Sequence, residues 1–243
     1  MPVLTVGDTD IPYEVRFSSR AARKRIVITP AGVLVVAPAG TPWDGSNGLL
    51  AYVRGKRRWV FDSVREVEEK YGKLLTQRYA SGAKLQYRGR WLMLDVQSGQ
   101  VDQIKITCRS KFHVVVPKTL SGSRRLEAIR EAFDDWLHDR AGRDLRRFGQ
   151  HHEARLGVQA TAYRLSHAKS RWGSCGRDGV VRIQWRLVQA PRAAMEYVVA
   201  HELVHLLHRN HSPSFWGTLA ETMPNWAEAK ELLERWEEAH RAV

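Results

Sequence analysis

The sequence is poor in cysteine and has no long apolar run. Its 243 residues include only 2 cysteines, Cys108 and Cys175. Two are too few for a disulfide framework, so we expect buried, reduced thiols. No stretch approaches the roughly 18 apolar residues of a membrane-spanning helix. The segment Met1–Glu14 has no basic cluster followed by an apolar run, so no signal peptide is predicted. These absences predict a cytoplasmic protein without a membrane partner.

Acidic residues are scarce relative to basic ones. The chain has 26 Asp and Glu against 39 Lys and Arg, a formal net charge of +13. The excess lies upstream of residue 201, with dense segments at Arg20–Arg25 and Arg54–Arg58, and residues 201–243 reverse it. Such a field attracts nucleic acid or acidic protein segments, and it also keeps a protein soluble. The charge pattern leaves both interpretations open: weak nucleic-acid binding through the N-terminal basic segments, and a soluble basic surface.

The first half of the chain alternates between strand and helix patterns. Strand patterns at 25–29 and 33–37 flank the turn signal Pro30–Gly32, and a helical pattern runs from about Gly48 to Tyr71, with Gly72 at the position of a helix C-cap. A second strand-rich stretch leads to a long amphipathic helix at 121–148. Both blocks contain Ile-x-Ile-Thr, at 26–29 and 104–107, so we infer a duplicated unit of hairpin plus helix. Two further pairs support this at similar offsets: Pro38 with Pro117, and Trp59 with Trp136.

The segment His201–His205 reads His-Glu-Leu-Val-His inside a helical pattern. Residues i and i+4 of a helix share one face, about 6 Å apart along the axis, so two imidazoles there can bind one ion. Glu202 lies near the same face and can reach a water on that ion as a general base. A catalytic zinc site has three protein ligands and an open position. The third ligand is left open among His208, His211 and Glu221.

Three segments resemble the YgjP-like metallopeptidase family: the stretch from His201 to Trp216, the stretch Ser170–Cys175, and Ile183–Val188. The resemblance is strong over residues 160–220. It implies a zincin-type catalytic domain in which His201, His205 and His211 are zinc ligands and Glu202 is the catalytic acid and base.

Helix geometry also favours His211 over His208 as the third ligand. His208 would stand about 10 Å along the axis from His201, beyond the ion. A helix running from about residue 193 and stopping at Arg209–Asn210 would let His211 turn back, because Asn tolerates the left-handed conformation. Ser212 and Pro213 then read as the N-cap and first residue of a new helix.

The motif Trp172-Gly-Ser-Cys175 has two interpretations. It could line the cleft as an edge strand that holds a peptide substrate. It could also be structural, with Trp172 and Cys175 packed in the core and Gly173 allowing a tight turn. Arg171 and Arg186 are candidate polar groups of the cleft.

Together these patterns predict an α+β fold: N-terminal β-hairpin and helix units, then a zincin-like catalytic domain whose metal-binding helix packs on a small sheet. The expected divisions are 1–80, 81–150 and 151–243. The predicted function is a Zn²⁺-dependent metallopeptidase acting on a protein or peptide substrate. Two alternatives remain: a nucleic-acid-associated protein whose zinc domain acts on bound proteins, and a non-catalytic zinc-stabilised interaction module. The pattern predicts no oligomeric state.

Overall fold

The structure, a computed structural model, describes residues 1–7, 9–30, 32–168 and 170–241. The chain forms two compact units, Met1–Gln77 and Arg78–Val243. Helices and several small mixed sheets make the fold α+β, as predicted. The division into 1–80, 81–150 and 151–243 stays a prediction. Within the described residues, no helix combines the length and the apolar character needed to cross a membrane.

The first unit contains a four-stranded sheet in the order β1-β2-β4-β3, with β2 and β4 parallel. Its elements are β1 (Val3–Val6), β2 (Thr9–Ser18), β3 (Arg25–Thr29), β4 (Gly32–Pro38), α1 (Leu49–Gly55) and α2 (Arg57–Tyr79), which runs on into the second unit. The predicted hairpin is the antiparallel pair β3–β4. Ala31, in its predicted turn, lies outside the described residues. The core of the unit includes Tyr13, Val35 and Val60.

The helix predicted from Gly48 to Tyr71 is divided in two. It breaks at Lys56, whose φ of −101° and ψ of 6° depart from helical values. The expectation that Gly72 ends it was wrong, because α2 continues to Tyr79 and buries Leu75 beyond the glycine. Burial of that leucine outweighs the roughly 1 kcal/mol that a mid-helix glycine costs.

The second unit begins with a sheet of the same topology, in the order β5-β6-β8-β7. Its elements are β5 (Lys84–Tyr87), β6 (Arg90–Gly99), β7 (Lys105–Cys108), β8 (Phe112–Pro117) and the long helix α3 (Gly122–Leu156). The middle strands correspond in register: Val35 pairs with Val15 and Ile26, and Val114 pairs with Val96 and Ile106. The repeat is thus a four-stranded sheet plus a helix, larger than the inferred hairpin plus helix.

The last third of the chain packs helices on a three-stranded sheet in the order β10-β11-β9. Its elements are β9 (Ala162–Ser166), β10 (Gly173–Cys175), β11 (Val180–Gln184), α4 (Arg192–Val204), α5 (Pro213–Thr222) and α6 (Trp226–Arg241). Strand β11 stops at Gln184, because the side chain of this residue accepts a hydrogen bond from the Arg186 N–H and starts a 3-10 helix, Trp185–Gln189. Helix α4 is apolar on most faces and contacts α3, α5, α6 and the sheet.

Candidate metal centre

Helix α4 places His201 and Glu202 in its last turn and His205 at its C-cap. The helix predicted to reach Arg209 ends at Val204. Its backbone then tightens into i to i−3 hydrogen bonds, from Leu206 N–H to the Leu203 carbonyl and from Leu207 N–H to the Val204 carbonyl, each 3.0 Å. A left-handed Asn210 therefore does not end the helix, since among the described non-glycine residues only Arg88 has a positive φ.

The earlier stop lets the chain return. Helix α5 begins at Pro213 after Ser212, as predicted, and His211 lies just before it.

Three imidazoles meet at this turn. The ring centroids of His201, His205 and His211 form a nearly equilateral triangle, with sides of 5.0, 4.9 and 4.8 Å. One ligand atom from each ring lies within 4.8 Å of the other two. The buried ring of Phe215 lies 4.7–4.9 Å from all three rings and covers one face of the triangle. The sequence pattern did not single out that phenylalanine.

The triangle has the dimensions of a tetrahedral metal site. Nε2 of His201 and Nε2 of His211 lie 3.0 Å apart. Two nitrogens bound to one zinc ion at about 2.0–2.1 Å would lie about 3.3 Å apart. The residues present therefore fit a divalent ion, and their nitrogen donors suit zinc.

The protonation of these imidazoles also suits a metal. Nδ1 of His205 lies 2.9 Å from the His208 carbonyl. Only a protonated Nδ1 can donate there, which leaves Nε2 with a free lone pair. Burial lowers the pKa of His201 to about 4, helped by the two neighbouring imidazoles, and burial also lowers the pKa of His205. Both rings are thus neutral near pH 7, as metal ligands must be.

The other two candidates for third ligand lie outside the triangle. Nε2 of His208 is 3.0 Å from the Thr218 hydroxyl on α5, while its carbonyl accepts the bond from His205. Glu221 is exposed near the end of α5, and its carbonyl accepts a hydrogen bond from Arg155. His208 thus acts as a support for His205 in this geometry.

Glu202 is buried beside the triangle, with 7% of its surface exposed. Burial raises the pKa of its carboxyl to about 7, against opposing effects from the Cys175 backbone N–H and the Arg171 charge. A Cβ on Gly173 would lie 2.6 Å from Oε1 of Glu202 and 2.7 Å from its Cγ. The expected tight turn at Gly173 is wrong: the residue is in strand β10, where its missing side chain makes room for the glutamate.

The sequence profile described as "YgjP-like, metallopeptidase domain" matches residues 22–236. The chain belongs to the YgjP-like metallopeptidase family. The crystal structure of the metallopeptidase zymogen of Pyrococcus abyssi abylysin is similar at 24% sequence identity, over 39% of this chain and 93% of that one, with a TM-score of 0.35. A likeness of that extent supports no argument about the site. The comparison with curated proteins found no match.

The family implies hydrolytic chemistry and a divalent metal.

The other candidate residues of this YgjP-like domain, Trp172, Cys175 and Arg186, each have an environment that bears on their role. The Trp172 ring packs on Trp236 at 5.3 Å, and its indole N–H donates to Glu237. Those contacts support the structural interpretation of the tryptophan. Burial raises the pKa of the Cys175 thiol, which disfavours a thiolate nucleophile. Arg186 stacks on Trp185 at 4.8 Å.

A contact that the sequence pattern did not predict joins the segment between His205 and His211 to the three-stranded sheet of the YgjP-like domain. Arg209 donates to the Gly176 carbonyl at 3.1 Å, directly after β10. It ties the segment between His205 and His211 to the strand that borders Glu202. No motif pointed to it, because the two residues are 33 positions apart in the chain.

A second group of potential ligands consists of His151, His152 and Glu196. His152 is 2% exposed, and its Nε2 lies 3.3 Å from the Glu196 carboxylate. Burial lowers the pKa of His152, and Glu196 opposes that shift. The contact joins α3 to α4, the helix of the imidazole triangle. It had no signal in the sequence, since it depends on how the two helices pack.

Proposed function

We propose that this chain is a zinc-dependent metallopeptidase in which His201, His205 and His211 hold the ion and Glu202 is the general base. The observation that carries the proposal is the convergence of three imidazoles beside a buried carboxyl with a pKa of about 7. Three nitrogen ligands leave one position of a tetrahedral ion for water or substrate.

The chain's own groups suit a proton shuttle. Zinc, when bound, would lower the pKa of a water molecule and polarise a substrate carbonyl. Glu202 has a pKa near the working pH, so its carboxylate can accept a proton from water and return it to the leaving amine. The Cys175 N–H orients that carboxylate, and Gly173 leaves the space in which it lies.

Strand β10 supports an extended peptide as the substrate. It is at the edge of its sheet and, among the described strands, pairs only with β11. An edge strand presents unpaired N–H and carbonyl groups to which a peptide can add as a further strand. Because β10 also contacts α4, a peptide paired there would lie along the helix that bears His201 and Glu202. This helix-on-edge-strand arrangement is the zincin-like feature of the proposal.

The alternative of a non-catalytic zinc module fits the contacts less well. A structural zinc site uses four protein ligands and needs no base. Here three imidazoles converge, and the buried carboxyl of Glu202 fits only because residue 173 is a glycine. Burial of Glu202 raises its pKa more than the Arg171 charge lowers it, so the carboxyl destabilises the fold when ionised, and its presence favours a catalytic role.

The Glu202→Gln variant tests the proposal. Gln keeps the size of the side chain and removes its basicity, so we expect one bound zinc per chain by metal analysis. Hydrolysis of a proteome-derived peptide library should fall by about a hundredfold or more. Chelation should abolish the parent's activity and added zinc should restore it. Glu221→Gln, an exposed carboxyl outside the triangle, is the matched control and should cleave like the parent. Equal cleavage rates for Glu202→Gln and the parent would refute the mechanism.

A further inference from the structure

A second concave site lies in the second unit, away from the motif residues. It has a volume of about 340 Å³ and is lined by the β5–β6 hairpin, the end of β7 and helix α3. We call it the arginine pocket, because Arg88, Arg90, Arg109 and Arg140 all line it. Cys108 lies among them. Neither the imidazole triangle nor Glu202 contributes to this pocket.

Arg88 is held in place by an unusual backbone and a buried partner. Its φ of 50° is left-handed, and it forms a tight turn with Gly89, whose φ is 76°. Its backbone N–H donates to the Val188 carbonyl at 3.0 Å. Its guanidinium makes a bidentate pair with Asp144, which is 5% exposed, at 2.8–3.2 Å. The left-handed conformation is strained in a residue with a side chain, so these contacts must hold it.

The other three arginines have no carboxylate partner within the described part of the chain. Arg90 and Arg109 are exposed. Arg140 lies over the Trp136 ring at 4.9 Å, and its Nε is buried without a hydrogen-bond partner. A buried N–H donor without an acceptor is costly and is satisfied by a ligand or a water. Four guanidinium groups and one carboxylate therefore leave the pocket strongly positive and short of an acceptor.

The first unit contains a matched pocket without this charge. It lies at the corresponding place in the duplicated fold, between β2, the end of β3 and α2, with a volume of about 240 Å³. Arg65 lies over Phe61 at 5.7 Å there, with the same i, i+4 spacing as Arg140 over Trp136. Its other charged lining residues, Asp10 and Glu68, are acidic. The concavity thus accompanies the topology, whereas the arginine cluster belongs to the second repeat alone.

We propose that the arginine pocket binds the oxyanion group, phosphate or carboxylate, of a small molecule. The planar fork of a guanidinium matches both oxyanions with paired hydrogen bonds. An anion there would compensate the unpaired positive charge and supply the acceptor that Arg140 Nε lacks. The pocket's concave shape and volume suit a small ligand.

Cys108 gives this proposal a local readout that does not depend on hydrolysis. The zinc-loaded full-length chain is alkylated with iodoacetamide, and peptide mass spectrometry separates Cys108 from Cys175. Inorganic phosphate, pyrophosphate and citrate are added in turn, with chloride at equal ionic strength as the reference. We expect at least one oxyanion at millimolar concentration to slow alkylation of Cys108 about fivefold, as an occupied site excludes the reagent. Protection by the two phosphates or by citrate distinguishes a phosphate ligand from a carboxylate one.

Variants then assign the effect to the arginines. In Arg90→Gln/Arg109→Gln, both altered residues are exposed, so the fold should persist, and the ratio of alkylation rates with and without anion should return to about one. Arg65→Gln, in the matched pocket of the first unit, should keep the parent's protection. The proposal fails if no oxyanion protects Cys108 more than chloride does. It also fails if the double variant is protected like the parent, or if protection is confined to Cys175.

Discussion

The two repeated regions of the chain share their topology and differ in what surrounds it. In both, an antiparallel hairpin is followed by a strand pair that inserts one strand parallel to the hairpin's second strand. The sequence pairs Trp59 with Trp136, yet Trp59 is 51% exposed while Trp136 packs edge-on against Phe112 at 5.4 Å. The structure instead matches Trp136 with Phe61, because each ring lies under an arginine four residues further along its helix.

The two repeats also differ in whether their unit contains the imidazole triangle. The first repeat closes its own small core within the first unit. The second repeat belongs to the unit that also contains the imidazole triangle. Its core is aromatic, with Phe112 and Phe133 in T-shaped contact at 5.0 Å. Among the described residues, the groups of side chains that could hold a metal ion lie in the second unit alone, and substitutions should separate the two units.

Removing one of the proposed metal ligands should separate the two units most clearly, because all three ligands lie in the second unit. We expect His211→Ala to lower zinc affinity by more than about a hundredfold and to abolish hydrolysis, since two imidazoles cannot hold the ion. His208→Ala should keep its zinc, because that ring bonds to Thr218. Metal analysis after dialysis decides it. Loss of zinc in His208→Ala together with retention in His211→Ala would reverse the assignment.

The buried carboxyl of Glu202 should make the stability of the second unit depend on pH when metal is removed by a chelator. The pKa of Glu202 rises from 4.5 to about 7 on folding, so ionisation destabilises the fold. The penalty is absent below about pH 4.5, grows up to about pH 7 and is constant above that. Glu202→Gln removes it, so the variant should be about 3 kcal/mol more stable than the parent near pH 8 and equal to it near pH 4.

Urea unfolding in EDTA at the two pH values measures this difference in the free energy of unfolding. Glu221→Gln, which changes an exposed carboxyl, should show no comparable pH dependence. A stability difference between Glu202→Gln and the parent that stays the same at both pH values would contradict the burial argument.

Much of the site was predictable from local sequence, and the less predictable parts depend on long-range packing. The i, i+4 spacing of His201 and His205 and the Ser212–Pro213 helix start are local signals, and both features are present. The parallel pairing of β2 with β4 is not local, since strand periodicity does not specify a partner. For the same reason the arginine pocket was not predictable, because its residues come from four elements, β5, β6, β7 and α3.

Matched valines test whether the two units are energetically separate. Val35 and Val114 hold the same register position in the two sheets and are 0% and 1% exposed. Each Val→Ala change should cost about 2 kcal/mol by removing two buried methyl groups. Hydrogen exchange should show Val35→Ala loosening the first sheet without changing zinc affinity. Val114→Ala should loosen the second sheet, and zinc should offset part of that loss. Equal loosening of both sheets by either variant would show that the units unfold together.

The smallest expected effect concerns the basic surface of the first unit. Residues 54, 56, 57 and 58 are exposed around the junction of α1 and α2. We expect weak binding of duplex or single-stranded nucleic acid that falls steeply with salt, because phosphate contacts release counterions. Arg57→Gln/Arg58→Gln should weaken it and lower the salt slope by about two. Fluorescence anisotropy measures both quantities.

Arg143→Gln, which removes a cation already paired with Asp139, is the control and should bind like the parent. If the parent does not bind at low salt, this basic surface has no nucleic-acid partner.

The missing side chain at Gly173 couples two positions that lie far apart in the chain, because a side chain there would occupy the space of Glu202. An alanine there would collide with Glu202, whereas a shorter aspartate at 202 would withdraw the carboxyl by about one bond length and relieve the crowding. The two substitutions are therefore expected to be strongly epistatic, each harmful in a different way when made alone. Among homologous chains, positions 173 and 202 should vary jointly or not at all. Any redesign of the proposed base Glu202 must therefore change strand β10 and helix α4 together.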